Sequence, residues 1–451
     1  MTKDTSINIT FGRIQQLALP AIIAGIAEPV LSLTDAAVVG NMQSLGTESL
    51  AAVGIVGSLI SFFIWVLGQS RSAISAIISQ SLGAGKLETL KTFPAQAVLL
   101  NFLSSLVILF GTYFFAREIF ILLEAKGLIL DLSIDYYNIR VWGFPLSLYT
   151  IAIFGVFRGH QNTFWPMIVA GLGAALNIGL DFALVYGIEG WIDPMNIKGA
   201  AWASLIAQMF MAILATILLR VTTDVSFKVS PKIHPQIKRL AVMWGNLIIR
   251  SVALNTALLL AIRTATGLGT ISIAAHTIAI NLWLFAAFFL DGYGAAGNIL
   301  GGRLLGAKDY TKLWHLTRRV TIYNMIVSGG LMLVGVLLSK QLGLLFNKDP
   351  LVLTAFYGIF TYVIVSMPLS AVAFTLDAIF KGLGEMRYLR NVLLSATILG
   401  FIPVLIASDY MGWGLDGIWI ALLVWIAIRA IALIFKYRSK YLILADKRPK
   451  V

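Results

Sequence analysis

Apolar runs of about twenty residues or more, separated by short polar turns, recur along nearly the whole chain. Twelve such segments fall near residues 14–40, 50–83, 92–116, 132–157, 161–188, 199–219, 240–262, 270–302, 320–339, 351–380, 391–408 and 415–435. An α-helix needs roughly 20 residues to cross the hydrocarbon core of a bilayer; all the segments reach that length except 391–408, which is marginal. The shorter segments of alternating polarity that build a membrane β-barrel do not occur in the sequence. The pattern predicts an all-α integral membrane protein with twelve transmembrane helices.

The segments are copied. A constant shift of 223 residues carries Leu45-Gly46-Thr47 onto Leu268-Gly269-Thr270, Leu82-Gly83-Ala84 onto Leu305-Gly306-Ala307, Asn101 onto Asn324, Pro145 onto Pro368 and Phe157 onto Phe380. Each copy holds six spans, an even number, so both enter the membrane in the same direction. Two six-helix bundles related by a pseudo-two-fold axis along the membrane normal are therefore expected. They comprise an N-terminal lobe over 1–220, a polar linker over 221–235, a C-terminal lobe over 236–436 and a basic tail over 437–451.

Composition agrees, with 59% hydrophobic residues, 12% charged residues and a mean hydropathy of +0.87. The net charge of +13 raises the question of nucleic acid. With the N-terminus placed inside, however, most of the 34 basic residues fall in the termini and in alternate loops on that side. That is the positive-inside distribution, and it puts both termini in the cytoplasm. The glycine- and lysine-bearing turns Ser81–Lys86 and Leu304–Lys308 then read as helix caps and topology anchors. No cysteine is present, which excludes disulfides and thiolate metal sites. The polar first twelve residues do not resemble a cleaved signal peptide, so the first span is expected to serve as its own signal.

Ionisable residues inside apolar spans are costly and usually functional. The stretch Leu19–Gly40 carries Glu28 and Asp35 with Pro29 between them, a proline that bends a helix or lets it bend. Asn177 and Asp181 stand at i and i+4, hence on one helix face. An amide with one or two carboxylates either ligates a small hard cation or holds a proton. Tyr136, Tyr137, Asn138 and Ser204 are further sources of oxygens. Glu28 has two readings, a functional acid or a partner for an intramembrane arginine. Asp291 and Asp377 have three: a second titrating site, a substrate contact, or salt bridges to Arg250 and Arg429. None of the acids is repeated by the 223-residue shift, so the lobes share a scaffold and differ in chemistry. No catalytic residue, metal cluster or nucleotide-binding glycine loop is found, which leaves an ion gradient or a partner as the energy source.

Leu17–Pro20, Leu33–Gly40, Leu176–Asp181, Leu290–Gly292 and Leu376–Gly384, together with the repeat, resemble the multidrug and toxic compound extrusion (MATE) family, and within it the DinF-like branch. The resemblance implies two six-helix bundles that export mostly cationic amphiphiles in exchange for H+, or less favourably Na+. It carries the coupling-ion site onto Asp35, Asn177, Asp181 and Ser204, and places Asp377 where the branch has an acid in its tenth helix. Glu28 departs from the pattern. The expected protein is a monomer in the plasma membrane, surrounded by lipid. Its partner is a small organic cation, with no nucleic acid and no cofactor beyond the coupling ion. A flippase for a lipid-linked precursor is the alternative on a related scaffold; it calls for a strongly cationic cavity, whereas acids and arginines within the spans are balanced here. A channel and a non-transporting scaffold have less support.

Overall fold

A computed structural model describes residues 9–42 and 45–446. The helices run in the order α1 (Phe11–Gly40), α2 (Gly46–Leu67), α3 (Ser70–Gly83), α4 (Phe93–Tyr113), α5 (Ala116–Leu122), α6 (Gly127–Arg140), α7 (Gly143–Gly159), α8 (Phe164–Val185) and α9 (Asn196–Thr222). The second copy continues as α10 (Pro235–Gly267), α11 (Thr270–Gly306), α12 (Tyr310–Leu337), α13 (Ser339–Phe346), α14 (Pro350–Gly382), α15 (Met386–Ser395), α16 (Ile402–Met411) and α17 (Gly414–Tyr437). Among the described residues, eleven stretches are long and apolar enough to span a bilayer, and the pair α6 and α7, bent by 47°, brings the number to twelve when it is counted as one span.

The sequence repeat is also a repeat of element boundaries. Shifted by 223 residues, Gly127–Gly159 falls on Pro350–Gly382, and Gly46–Gly83 falls on Gly269–Gly306. What differs is continuity. The second copy uses the unbroken α14 and α11 where the first is interrupted at Val141–Trp142 and at Gly68–Gln69. The span expected over 132–157 is therefore two helices. Pro145 lies in the first turn of α7, where a missing N–H costs no helical hydrogen bond. Its counterpart Pro368 lies inside α14. The stretch expected at 391–408 is rescued by length, since helix runs from Met386 to Met411. A π-helical turn over Ala396–Phe401 just before Pro403 takes up the crowding of the proline ring against the preceding turn.

By packing, the chain divides into two compact units: Met1–Ile22 with Ser79–Gly85 and Val242–Val451, and Ile23–Ile78 with Lys86–Ala241. The core of the first gathers Phe356, Phe401, Trp419 and Trp425 with an alanine stripe, Ala253, Ala257, Ala261 and Ala265, along α10. The core of the second is built on Phe120, Tyr137, Phe144 and Leu148. Within the second unit the extended linker is clasped by Gln96. Its Nε2 donates to the carbonyls of Ser230 (3.0 Å) and Lys232 (2.8 Å), and its Oε1 accepts from the His234 N–H (2.8 Å).

Candidate functional site

The buried face of α8 reads Val169, Ala170, Gly173, Ala174, Asn177, Asp181 and Val185, a helical stripe in which two core positions are polar. Close packing by α9 brings the partners near. A Cβ on Gly173 would meet Met211 Cγ at 2.3 Å, and one on Gly199 would meet the Leu184 carbonyl oxygen at 2.5 Å. Those two glycines therefore let the helix surfaces touch, and Ser204 on α9 comes to face Asn177.

Asn177 is the centre of the arrangement. Its Nδ2 donates to Asp35 Oδ1 at 3.0 Å and to Asp181 Oδ2 at 2.7 Å, using both amide hydrogens on carboxylates from α1 and α8. Ser204 Oγ lies 3.1 Å from Asp35 Oδ2 and 3.3 Å from Asn177 Oδ1, so its single proton serves one acceptor at a time. Asp35 is 6% exposed and Asp181 fully buried. Asp181 Oδ1 has no hydrogen-bond partner.

Beside this group a cavity of about 60 Å³ is lined by Asp35, Asn177, Tyr136, Arg140, Gln208 and Met211, among others. Two unit charges roughly 4 Å apart repel by about 4 kcal/mol at an effective dielectric constant near 20. Arg140 opposes part of that repulsion. A proton or a monovalent cation taken up between the acids removes most of the remainder.

The first unit holds a different cluster. Asp377 Oδ1 accepts from Arg250 Nε at 3.1 Å and Nη2 at 2.5 Å, while its Oδ2 lies 3.0 Å from Lys381 Nζ, one helical turn along α14. Of the three readings of Asp377, the geometry favours the ion pair, with Lys381 rather than Arg429 as the second cation. Arg429 instead stacks over Trp425 and Phe374. Asp291 is exposed on α11. The side chains of Glu28 and Pro29, read above as an ionisable candidate and a hinge, lie outside the described residues; the backbone there is part of α1.

The MatE family model matches residues 20–183 and, a second time, residues 247–406. The chain belongs to the MatE family. A MatE protein is a multi-pass membrane transporter and not an enzyme. Similar chains include Protein DETOXIFICATION 44, chloroplastic, of Arabidopsis thaliana, 28% identical with 93% of this chain and 80% of the relative aligned. DNA damage-inducible protein F of Escherichia coli is 25% identical over 94% and 91% of the two chains, which makes the DinF-like branch plausible. Among solved structures, a MATE transporter crystallised in the bent conformation superposes with a TM-score of 0.88, covering 96% of both chains at 20% identity. That likeness supports the MATE fold.

Sequence reasoning named Asp35, Asn177, Asp181, Ser204 and Tyr136, and the fold of this MatE chain brings all five to one place. It counted Arg140 among the ionisable residues inside spans without giving it a place in the site, and it did not name Gln208; the two complete the cavity wall. The signal was available for Arg140, which stands one helical turn after Tyr136. It was also available for Lys381, one turn after Asp377.

Proposed function

We propose that this MatE protein is a secondary active antiporter that exports organic cations or toxic amphiphiles in exchange for H+. The observation that carries the reading is the Asn177 amide donating to both Asp35 and Asp181. One side chain makes two acids from different helices a single ion-binding group. The group favours a proton over Na+, because a hard metal ion asks for a shell of several oxygens. Here the amide offers its N–H groups to the acids, whereas one free carboxylate oxygen is enough for H+. Neutralising the acids removes their repulsion and changes how tightly α1 is held to α8. Alternation follows only where ion and substrate favour different states of the protein. The relatives named as multidrug resistance proteins, such as NorM of Vibrio vulnificus, 24% identical over 91% of each chain, support drug or toxin efflux as the task.

On this reading the protein works as a monomer in the plasma membrane with both termini cytoplasmic, and it needs no cofactor beyond the ion. The test is ethidium efflux from whole cells or inverted vesicles, wild type beside Asp35→Asn, with pH and Na+ gradients imposed separately. Efflux driven by the pH gradient alone and abolished in Asp35→Asn is the expected result. Efflux that follows only Na+ transfers the site to that ion, and full gradient-driven export by Asp35→Asn removes the assignment.

A further inference from the structure

Between α9 and α10 the chain runs extended, and from Val225 to Ile233 apolar and polar residues alternate: Val225, Phe227, Val229, Pro231 and Ile233 against Ser226, Lys228, Ser230 and Lys232. A segment surrounded by water hides such an apolar set where it can. Here Val229 is 51% and Ile233 78% exposed. Lys228 and Lys232 are exposed between them, as are Arg220 in the last turn of α9 and Lys238 near the start of α10. Over Arg220–Lys238 these four cations stand against a single acid, Asp224. Among the described residues none of the four belongs to an ion pair, and Arg220 lies over the Phe227 ring at 5.1 Å.

The segment is strapped at a fixed depth. Gln96, buried near the start of α4, holds the Ser230 and Lys232 carbonyls and the His234 N–H. The His234 ring is tied at both nitrogens. Its Nε2 donates to the Thr89 carbonyl at 2.9 Å, which leaves Nδ1 to accept from the Gln236 N–H at 3.1 Å. The helices that begin or end here, α4, α9 and α10, belong to stretches long and apolar enough to span a bilayer. A strap tied to their ends therefore lies at the membrane surface. With its backbone held, the strap offers side chains, and exposed apolar groups interleaved with cations match the boundary between headgroups and acyl chains. Nucleic acid or a soluble acidic protein would answer the lysines and leave Val229 and Ile233 in water.

We propose that the strap is a docking surface for anionic phospholipid, with Arg220, Lys228 and Lys232 on headgroup phosphates and Val229 and Ile233 in the apolar boundary beneath them. The inference needs only the membrane spans and stands apart from the efflux reading.

The sequence has no cysteine, so Ser226→Cys gives the full-length protein a single labelling site and leaves the lysines, Val229 and Ile233 in place. An environment-sensitive fluorophore there is read in nanodiscs of phosphatidylcholine with a rising fraction of phosphatidylglycerol. Its emission is expected to shift to the blue as that fraction rises, to be quenched by lipids spin-labelled near the headgroup, and to shift back in high salt. Adding Lys228→Gln and Lys232→Gln should lower the apparent affinity for phosphatidylglycerol about fivefold per charge removed. Val229→Ser with Ile233→Ser should remove the quenching. Arg318→Gln with Arg387→Gln takes away two exposed charges elsewhere and should leave the response unchanged. Emission indifferent to lipid charge, quenching that is absent or survives the serine variants, or equal loss from both pairs of charge variants would each overturn the proposal. The last result would reduce it to the surface potential of the whole protein.

Discussion

Gly83 and Gly306, equivalent under the 223-residue shift, meet each other's helices in the same way: a Cβ on Gly83 would lie 1.8 Å from the Arg303 carbonyl oxygen, and one on Gly306 would lie 1.9 Å from that of Gln80. Arg303 and Gln80 are themselves repeat equivalents. The ends of α3 and α11 thus cross as a near-symmetric pair, and the glycines are the point of closest approach. The lysine-bearing turns after them had suggested caps and topology anchors; the glycines also have a packing reason.

Alanine at either position must push backbone away from backbone, which no side-chain rotation relieves. Gly83→Ala and Gly306→Ala are each expected to destabilise by about 1–3 kcal/mol, the usual scale of overpacking. Because each glycine is packed against the other's helix, the double variant should cost less than the sum of the two. Thermal unfolding in detergent reads both effects, and two neutral substitutions would show that the crossing yields.

Removing the Asn177 amide leaves two buried acids without their common donor. Hydrogen bonds to charged groups contribute roughly 1.5–3 kcal/mol each, and loss of the donor exposes the full repulsion between Asp35 and Asp181. Asn177→Leu, which keeps the branching of the side chain and removes its donor, should therefore fold less stably and lose gradient-driven efflux. Comparing efflux in proteoliposomes with and without a pH gradient separates lost coupling from lost protein; retained gradient response in Asn177→Leu would remove the bridge from the mechanism.

Asp377 pairs with two cations, Arg250 and Lys381. Breaking a buried ion pair on one side costs about 3–5 kcal/mol, because the partners stay buried and uncompensated. Asp377→Asn should approach that loss. The double variant Asp377→Leu with Arg250→Met should recover a substantial part of it, an outcome that melting curves of the three proteins would show directly.

In the turn between α14 and α15, Glu385 is partly buried, which by itself would raise its pKa; bonds from Lys440 and from Tyr441 (2.9 Å) outweigh that and hold it below the ordinary value of 4.5. A lowered folded value means that the contact stabilises the protein fully above about pH 4.5 and loses that contribution as the pH falls through the folded value. The difference in melting temperature between wild type and Glu385→Gln should be constant from about pH 7 to pH 5 and shrink on further acidification. A difference that grows in acid would reverse the sign and refute the assignment.

The spans were legible because a bilayer demands about twenty apolar residues at a time, and the repeat because insertions had not disturbed its offset. Asn177 and Asp181 could be paired on paper, being one helical turn apart. Their meeting with Asp35 and Ser204 depends on how α1, α8 and α9 pack, which the glycines hint at and do not specify. The interruption at Val141–Trp142 was illegible for a related reason. Pro145 and Pro368 are the same residue in equivalent places, yet one starts a helix and the other sits inside one, so tertiary packing and not the proline decides.

The two interruptions and the paired acids occur in the same copy of the repeat. A continuous helix resists bending along its whole length, whereas an interrupted one concentrates compliance at a joint. At these two places the first copy therefore has joints where the second is continuous. Asp35 and Asp181, bridged by Asn177, thus sit in the copy whose helices are jointed at those two places.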